Sequence, residues 1–370
     1  AEPCLIVDSF DAGGRRRRAA HVSESLRDHF PAGATPRAEQ ARLLEQLADA
    51  LAEAEQDERA PHVLAVEAPP GIGKSHLAMT LARWSGDAYL LTSQKILQDQ
   101  YEREFGDQLQ LIKGRDNYLC ERYPDRSVPT SLGMCRRPRG PLCQCPYARA
   151  KTAALAAPIF CTNRWYFATL RHWHAEQLRR RPLLVIDEAH NLEAHLVNVY
   201  TVQFTAAEMK DWFGAPLPHL ASADDYRDIL GGHADRLRED LRAVVDELDA
   251  LRRPDVEADV FLQMPPTRQE LALLERRDAL EAAGTRLRFF VDDTETEWVV
   301  RYPTDLGATF ELVPLSVTGY TRDLLTGSAE LVVLSSAYLG PAAALADSLA
   351  LAAGGVRRFT SPSPFPLPQR

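Results

Sequence analysis

The sequence predicts an α/β fold, a parallel sheet with helices on both faces, interrupted by two inserts. Three observations lead there. Short apolar runs alternate with helical patterns over the first half of the chain. A Pro-, Arg- and Cys-rich block with little periodicity separates two of these runs. A long stretch of apolar residues at helical spacing then intervenes before strand character returns.

Taken in order, residues 1–30 are poorly patterned, carry the run Arg15-Arg16-Arg17-Arg18, and read as a mobile or loosely docked arm. Thr35-Pro36 supplies a cap and a first-turn proline for a helix whose apolar positions are Leu43, Leu44, Leu47 and Leu51. His62–Val66 reads as a short buried strand, followed by a glycine-rich turn and a helix through Leu77, Leu81 and Trp84. Ala88–Leu91 is a second strand and Ile96–Phe105 a helix. Ile159–Thr162 and the apolar Leu183–Ile186 continue the sheet. In 205–295, Leu237, Leu241, Val244, Leu248 and Leu251, then Leu273, Leu280 and Leu287, predict an antiparallel helical hairpin. Strands are expected again at Trp298–Arg301, Phe310–Val313 and Leu331–Ser335. The expected units are an arm (1–30), the α/β lobe in three parts (31–112, 151–204 and 296–370), the cysteine insert (113–150) and the helical unit (205–295).

The chain has 370 residues, 45% of them hydrophobic and 26% charged, as in ordinary globular proteins. It has no membrane-spanning apolar run and no export signal, so a cytoplasmic protein without membrane contact is expected. It begins without Met, as expected of a piece processed or excised from something longer. The net charge is −9, yet 113–151 holds nine Lys/Arg against three Asp/Glu. An acidic chain with one basic insert suits a localised nucleic-acid contact, and equally a solvated loop.

Glu67-Ala68-Pro69-Pro70-Gly71-Ile72-Gly73-Lys74-Ser75 follows a strand and opens a helix, the context a phosphate-binding loop needs. Glycines let backbone N–H groups close around phosphate oxygens, and the helix N-terminus adds partial positive charge. Lys74 can reach the β- and γ-phosphates of ATP, and Ser75 can offer its hydroxyl to Mg²⁺. Ala68, Gly71, Ile72, Gly73, Lys74, Ser75 and His76 are thus the loop's nucleotide-binding candidates. Ala68 stands where the strict pattern has Gly. Asp187-Glu188-Ala189-His190 directly follows the Leu183–Ile186 strand. Asp187 is expected on the Mg²⁺ side, and Glu188 as the base orienting the attacking water. Lys74, Asp187 and Glu188 form the expected catalytic set.

Cys120, Cys135, Cys143 and Cys145 fall within 26 residues of a core-poor block. A disulfide framework does not suit a reducing compartment. Four thiolates suit a 4Fe-4S cluster or Zn²⁺. Cys161 lies in an apolar strand and reads as a packed core thiol. Cys4 has no assigned role.

Together these motifs resemble the XPD/DinG branch of iron–sulfur DNA helicases in superfamily two, over residues 30–370. The loop at 67–75 looks like the family's first motif and Asp187–His190 like its second. Arg37 and Gln40 are similar to its upstream Arg-x-x-Gln element, which implies adenine contact. Thr92-Ser93-Gln94 through Leu97-Gln98-Asp99-Gln100 looks like motif Ia, which touches the DNA backbone. Ser335-Ser336-Ala337-Tyr338-Leu339 resembles motif III, with Tyr338 where Thr is usual. Lys113–Cys120 and Cys145–Arg149 are similar to the flanks of the first and last cluster cysteines. That position implies a 4Fe-4S cluster on Cys120, Cys135, Cys143 and Cys145, although Cys143-x-Cys145 is tighter than the family spacing.

The resemblance implies a RecA-like motor lobe, with a cluster insert and a helical arch beside it. It also implies a monomer that moves 5′ to 3′ along single-stranded or forked DNA. Arg136, Arg137, Arg139, Arg149 and Lys151 would track phosphates, whereas Tyr118 and Tyr147 suit packing better than base stacking. In the family a second lobe follows a Ser-Pro-Phe segment. Here Ser363-Pro364-Phe365-Pro366 is followed only by Leu367-Pro368-Gln369-Arg370. The expectation is therefore the N-terminal portion of a helicase, truncated or from a split gene, with weak or no DNA-stimulated ATPase alone. The alternatives are a non-catalytic nucleotide- or DNA-binding module and a DNA-independent regulatory ATPase with a structural zinc.

Overall fold

The computed structural model describes residues 26–56, 62–121, 128–133, 136, 144–214, 217–220, 222–251, 264, 266–302, 310–349, 351 and 354–363. Cys4, the Arg15–Arg18 run, Cys135, Cys143, Arg137 and Arg139 lie outside the described residues.

Seven strands form one sheet: β1 (Val63–Glu67), β2 (Ala88–Thr92), β3 (Gln110–Leu111), β4 (Ile159–Asn163), β5 (Arg181–Asp187), β9 (Ala329–Ser336) and β10 (Val356–Thr360). Their order is β10-β1-β9-β5-β2-β4-β3, and every pairing is parallel. Parallel strands need crossover connections, which places helices over both faces and makes the strands apolar on both sides. The alternation of side chains divides each strand accordingly. Val63, Ala65, Tyr89, Leu91, Leu184, Ile186, Val332 and Leu334 enter one core. Leu64, Val66, Ala88, Leu90, Leu183, Val185, Leu331 and Val333 enter the other.

The second of these cores is covered by α1 (Ala38–Gln56), α2 (Lys74–Ser85) and α3 (Lys95–Phe105). The first is covered by α4 (Pro146–Ala156), α5 (Arg164–Trp173), α6 (Leu192–Tyr200), α10 (Thr318–Thr326) and α11 (Ala342–Ser348). This is a RecA-like α/β lobe. The loop-bearing strand β1 lies near one edge, and β9 separates it from the Asp187-bearing β5.

At the amino end of the sheet, buried Arg181 fastens several segments. Its Nη1 donates to the carbonyls of Ala88 (3.2 Å), Ala157 (2.7 Å) and Pro158 (2.9 Å), and its Nη2 to that of Leu155 (3.1 Å). Asp87 faces it at 3.0 Å, and the Tyr89 ring lies 4.5 Å from the guanidinium.

The helical unit is a hairpin of α8 (Asp224–Ala250) and α9 (Arg268–Asp292), preceded by α7 (Ala206–Phe213). Arg227, near the start of α8, donates to the carbonyl of Phe290 near the end of α9, so the two run antiparallel. Leu237, Val244 and Leu248 pack with Leu273, Leu280 and Leu287 as the spacing requires. Thr267 and Glu270 close a reciprocal cap at the start of α9.

Two sequence expectations change. The strands at Trp298–Arg301 (β7) and Phe310–Pro314 (β8) do not return to the lobe's sheet. They pair antiparallel, with Val202–Phe204 (β6) on the other side of β8, and this separate sheet packs on the hairpin. The helical unit thus extends past residue 295. The arm also ends earlier than residue 30. Leu26–His29 form a 3₁₀ turn, and Leu26 and Phe30 are buried in the core under α1 and α2.

Candidate functional site

The loop after β1 turns on two glycines with positive φ, Gly71 at 81° and Gly73 at 85°. Gly73 caps α2, so the loop's backbone opens directly onto a helix N-terminus. Ala68 and Ile72 are fully buried and anchor it. The Ala68 N–H donates to the Ser336 carbonyl at 2.9 Å, tying the loop to β9. Arg37 and Gln40, distant in sequence, close over it. Arg37 Nη1 donates to the Gly71 carbonyl at 2.6 Å, Gln40 Nε2 to that of Gly73 at 3.3 Å, and the Arg37 N–H to Gln40 Oε1 at 2.7 Å.

The parallel order carries Asp187 and Glu188 to the same end of the sheet. Lys74 Nζ lies 3.1 Å from Glu188 Oε1. Glu188 is the one non-glycine residue with positive φ among the described residues, at 53°. A left-handed carboxylate at a strand end marks a site where backbone strain is retained. Its other oxygen lies 3.4 Å from His190 Nδ1, and that nitrogen is 2.9 Å from Ser336 Oγ. The turn after β5 and the end of β9 are thereby in contact.

Asp187 is only 5% exposed. Tyr101, on α3, donates its hydroxyl to Asp187 Oδ2 at 3.0 Å, and the Glu188 N–H donates to Oδ1 at 3.0 Å. Burial pushes the Asp187 carboxyl above its ordinary range, with the Tyr101 hydroxyl pulling the other way. Burial and the adjacent carboxylate push the Tyr101 hydroxyl up. Ser75 and His76 lie in the first turn of α2, and His76 stacks on Phe30 and meets Phe105 edge-on.

Sequence reasoning missed Tyr101, whose signal was the buried Tyr101/Phe105 face of α3. It also gave no role to Glu67. That carboxylate accepts from the Leu339 N–H and from Arg358, both at 2.9 Å, and so joins β1 to the segment after β9 and to β10.

In the cysteine insert, Cys120 and Cys145 are buried. Cys145 caps α4, its Sγ accepting from the Ala148 N–H at 3.4 Å. Among the described residues, Cys120 packs with Val128 and Leu132 in a small apolar cluster. Among the described residues no three His, Cys, Asp or Glu side chains converge as a metal group, and Cys135 and Cys143 lie outside them. Cys161 is a core thiol, pushed up by burial.

Tyr147 is buried, its hydroxyl 2.9 Å from that of Tyr166, and Tyr118 packs edge-on against it. Both tyrosines pack. Of the five cations expected to track phosphates, two are engaged within the chain, and Arg137 and Arg139 lie outside the described residues. Arg136 pairs with Asp278 at 2.8 Å and Glu281 at 2.9 Å on α9, and Arg149 pairs with Glu121 at 3.0 Å. These guanidiniums are neutralised within the chain, and Arg136 staples the insert to the helical unit.

No protein-family model matches the chain, and no curated protein sequence does. Among solved structures it is similar to one titled "XPD_Helicase", at 14% identity and a TM-score of 0.46, over 96% of this chain and 63% of that one. It is also similar to "Truncated XPD", at 13% and 0.44, over 90% of this chain and 96% of that one. A third, "XPD_APO", matches at 13% and 0.43, over 93% and 57%. This chain thus spans less than two thirds of the first structure's length.

Proposed function

We propose that this chain is the nucleotide-binding motor lobe of an ATP-dependent DNA helicase of the XPD/DinG iron–sulfur type, working with a second lobe. The observation that carries the reading is the Lys74–Glu188 contact at the carboxyl end of a parallel sheet, with Asp187 fixed beside it by Tyr101. Bound ATP would draw Lys74 to its β- and γ-phosphates, which frees the Glu188 carboxylate to orient water. Ser75 and Asp187 would hold Mg²⁺. Arg37 and Gln40, bonded to the loop's own carbonyls, would meet the base and couple its arrival to the loop's shape.

Cys120, Cys135, Cys143 and Cys145 would hold a 4Fe-4S cluster. The buried Cys120 and the buried, helix-capping Cys145 suit an insert organised by a bound group. When bound, it would supply a rigid covalent tie for the insert. Iron and sulfide analysis with visible absorbance of an anaerobic preparation tests this, and one zinc in a colourless sample would overturn it.

The deciding test is Mg·ATP binding and hydrolysis by the chain, with and without single-stranded DNA. The chain is expected to bind Mg·ATP and turn it over slowly with little DNA stimulation, because the transition-state arginine belongs to the partner lobe in this reading. Lys74→Ala should abolish binding. Glu188→Gln should keep binding and lower turnover at least a hundredfold, as loss of a positioned base does, roughly. Absence of Mg·ATP binding by the unaltered chain would sink the proposal.

A further inference from the structure

Arg164 opens α5 at the carboxyl end of β4 and is only 4% exposed. Its Nε and Nη1 are buried and meet no hydrogen-bond partner among the described residues. Burying a guanidinium without acceptors opposes folding. The same fold shows how it satisfies such a group elsewhere, since the Nη atoms of Arg181 reach four carbonyls and Asp87. Asp187 and Glu188 act on Arg164 electrostatically without bonding it, and both are otherwise engaged. A cation kept in the fold without an acceptor calls for an anion from outside.

The surroundings name that anion's class. Asn163 Oδ1 caps α5 by accepting from the Tyr166 N–H at 2.8 Å, which fixes the turn that carries Arg164 and Trp165 out of the sheet. Trp165 is half exposed, its ring 6.0 Å from that of His195, whose Nε2 is likewise buried and unpartnered. Asn163 lies beside Thr92 in register and donates to Gln98 at 3.1 Å, which places the site next to the loop after β2, where Ile96 is 70% exposed. A free phosphate or a nucleoside triphosphate would use the guanidinium and leave the indole idle. A ligand that alternates phosphate with flat apolar rings uses both.

We propose that Arg164 and Trp165 form a one-nucleotide recognition site for single-stranded DNA, the guanidinium taking a backbone phosphate and the indole stacking the adjoining base. The inference rests on the helicase reading and gives it specific strand contacts.

The test titrates the full chain into a fluorescein-labelled oligothymidylate of about fifteen nucleotides, by anisotropy, at several salt concentrations. Arg164→Met should weaken binding and reduce the slope of log K against log salt by about 0.7, one phosphate's share on a single strand. Trp165→Ala should weaken binding about tenfold with the slope unchanged, while Trp165→Phe retains most of the affinity. Arg164→Met should also melt no lower than the unaltered chain, because it removes an unpaired buried charge; a merely structural arginine would lower the melting temperature and leave the slope alone. If Arg164→Met does not fold, the Trp165 pair still decides.

Unchanged affinity and slope in the Arg164 and Trp165 variants, in a chain that does bind the strand, would overturn this inference and leave the helicase reading standing. Binding of Mg·ATP with no binding of the oligonucleotide would remove the DNA reading and the inference with it. Loss of Mg·ATP affinity in Arg164→Met, with the salt slope unchanged, would assign the guanidinium to the nucleotide instead and overturn the strand site.

Discussion

Gly73 sits at a φ of +85°, and a methyl group added there would lie 2.5 Å from Gln40 Nε2. Two separate costs therefore meet at one position. The left-handed backbone opposes any side chain by about 1–2 kcal/mol. The new carbon would also push the Gln40 amide off the Gly73 carbonyl. Gly73→Ala is expected to lower stability by about that amount in denaturant unfolding and to weaken Mg·ATP binding. In a Gln40→Ala background the steric part should vanish and the backbone part remain, so equal losses in both backgrounds would refute the contact.

At this scale the loop and the Asp187-Glu188 pair were legible because each is a local pattern at a strand end. The Tyr101–Asp187 bond joins residues 86 positions apart, and no spacing announces it. Arg164 was illegible for a different reason. An arginine at the start of a helix is ordinary in sequence, and only burial makes it informative.

The helical hairpin shows what periodicity does and does not encode. The apolar spacing of Leu237, Val244, Leu248, Leu273, Leu280 and Leu287 fixes one face on each helix, and those residues do meet. Leu280→Ala should cost about 2–5 kcal/mol, with the spread set by how far the cavity closes. Ala scanning of exposed positions on the same helix should cost far less by the same thermal measurement. The strands Trp298–Arg301 and Phe310–Pro314 were recognisable as strands, but their partners were not. Four or five residues of alternating pattern carry no address for the sheet they join, and only the three-dimensional order placed them against Val202–Phe204. The Arg136 staple was hidden likewise. A run of cations in sequence reads as a free basic surface until Asp278 and Glu281 arrive from more than 140 residues away.

For the molecule as a whole, acid stability has a identifiable contributor in His195. Burial, with the Arg164 charge adding to it, lowers its pKa from 6.5 to about 4. As pH falls through 6.5 the unfolded chain takes up a proton there, while the folded chain refuses it until near 4. Stability contributed by the neutral imidazole is therefore lost progressively across that window. His195→Gln should flatten the fall of melting temperature over the same range, and parallel profiles for the two proteins would exclude the assignment. The parallel α/β class was legible at this scale from the alternation of elements, since each crossover is written locally. The limits of the units were not, because they depend on which distant surfaces meet.

The Arg181 fastening has one more consequence at this scale. It joins carbonyls from two stretches of chain, Ala88 and 155–158, to β5 at the amino end of the sheet, far along the strands from Lys74 and Glu188. Amide hydrogens of β2, β4 and β5 near that end should exchange with solvent only through global opening, whereas those of the loops following the same strands should exchange by local fluctuation. One sheet would then present a slow half and a fast half, so that nucleotide-driven rearrangement is confined to the loops while the strands beneath remain a fixed frame.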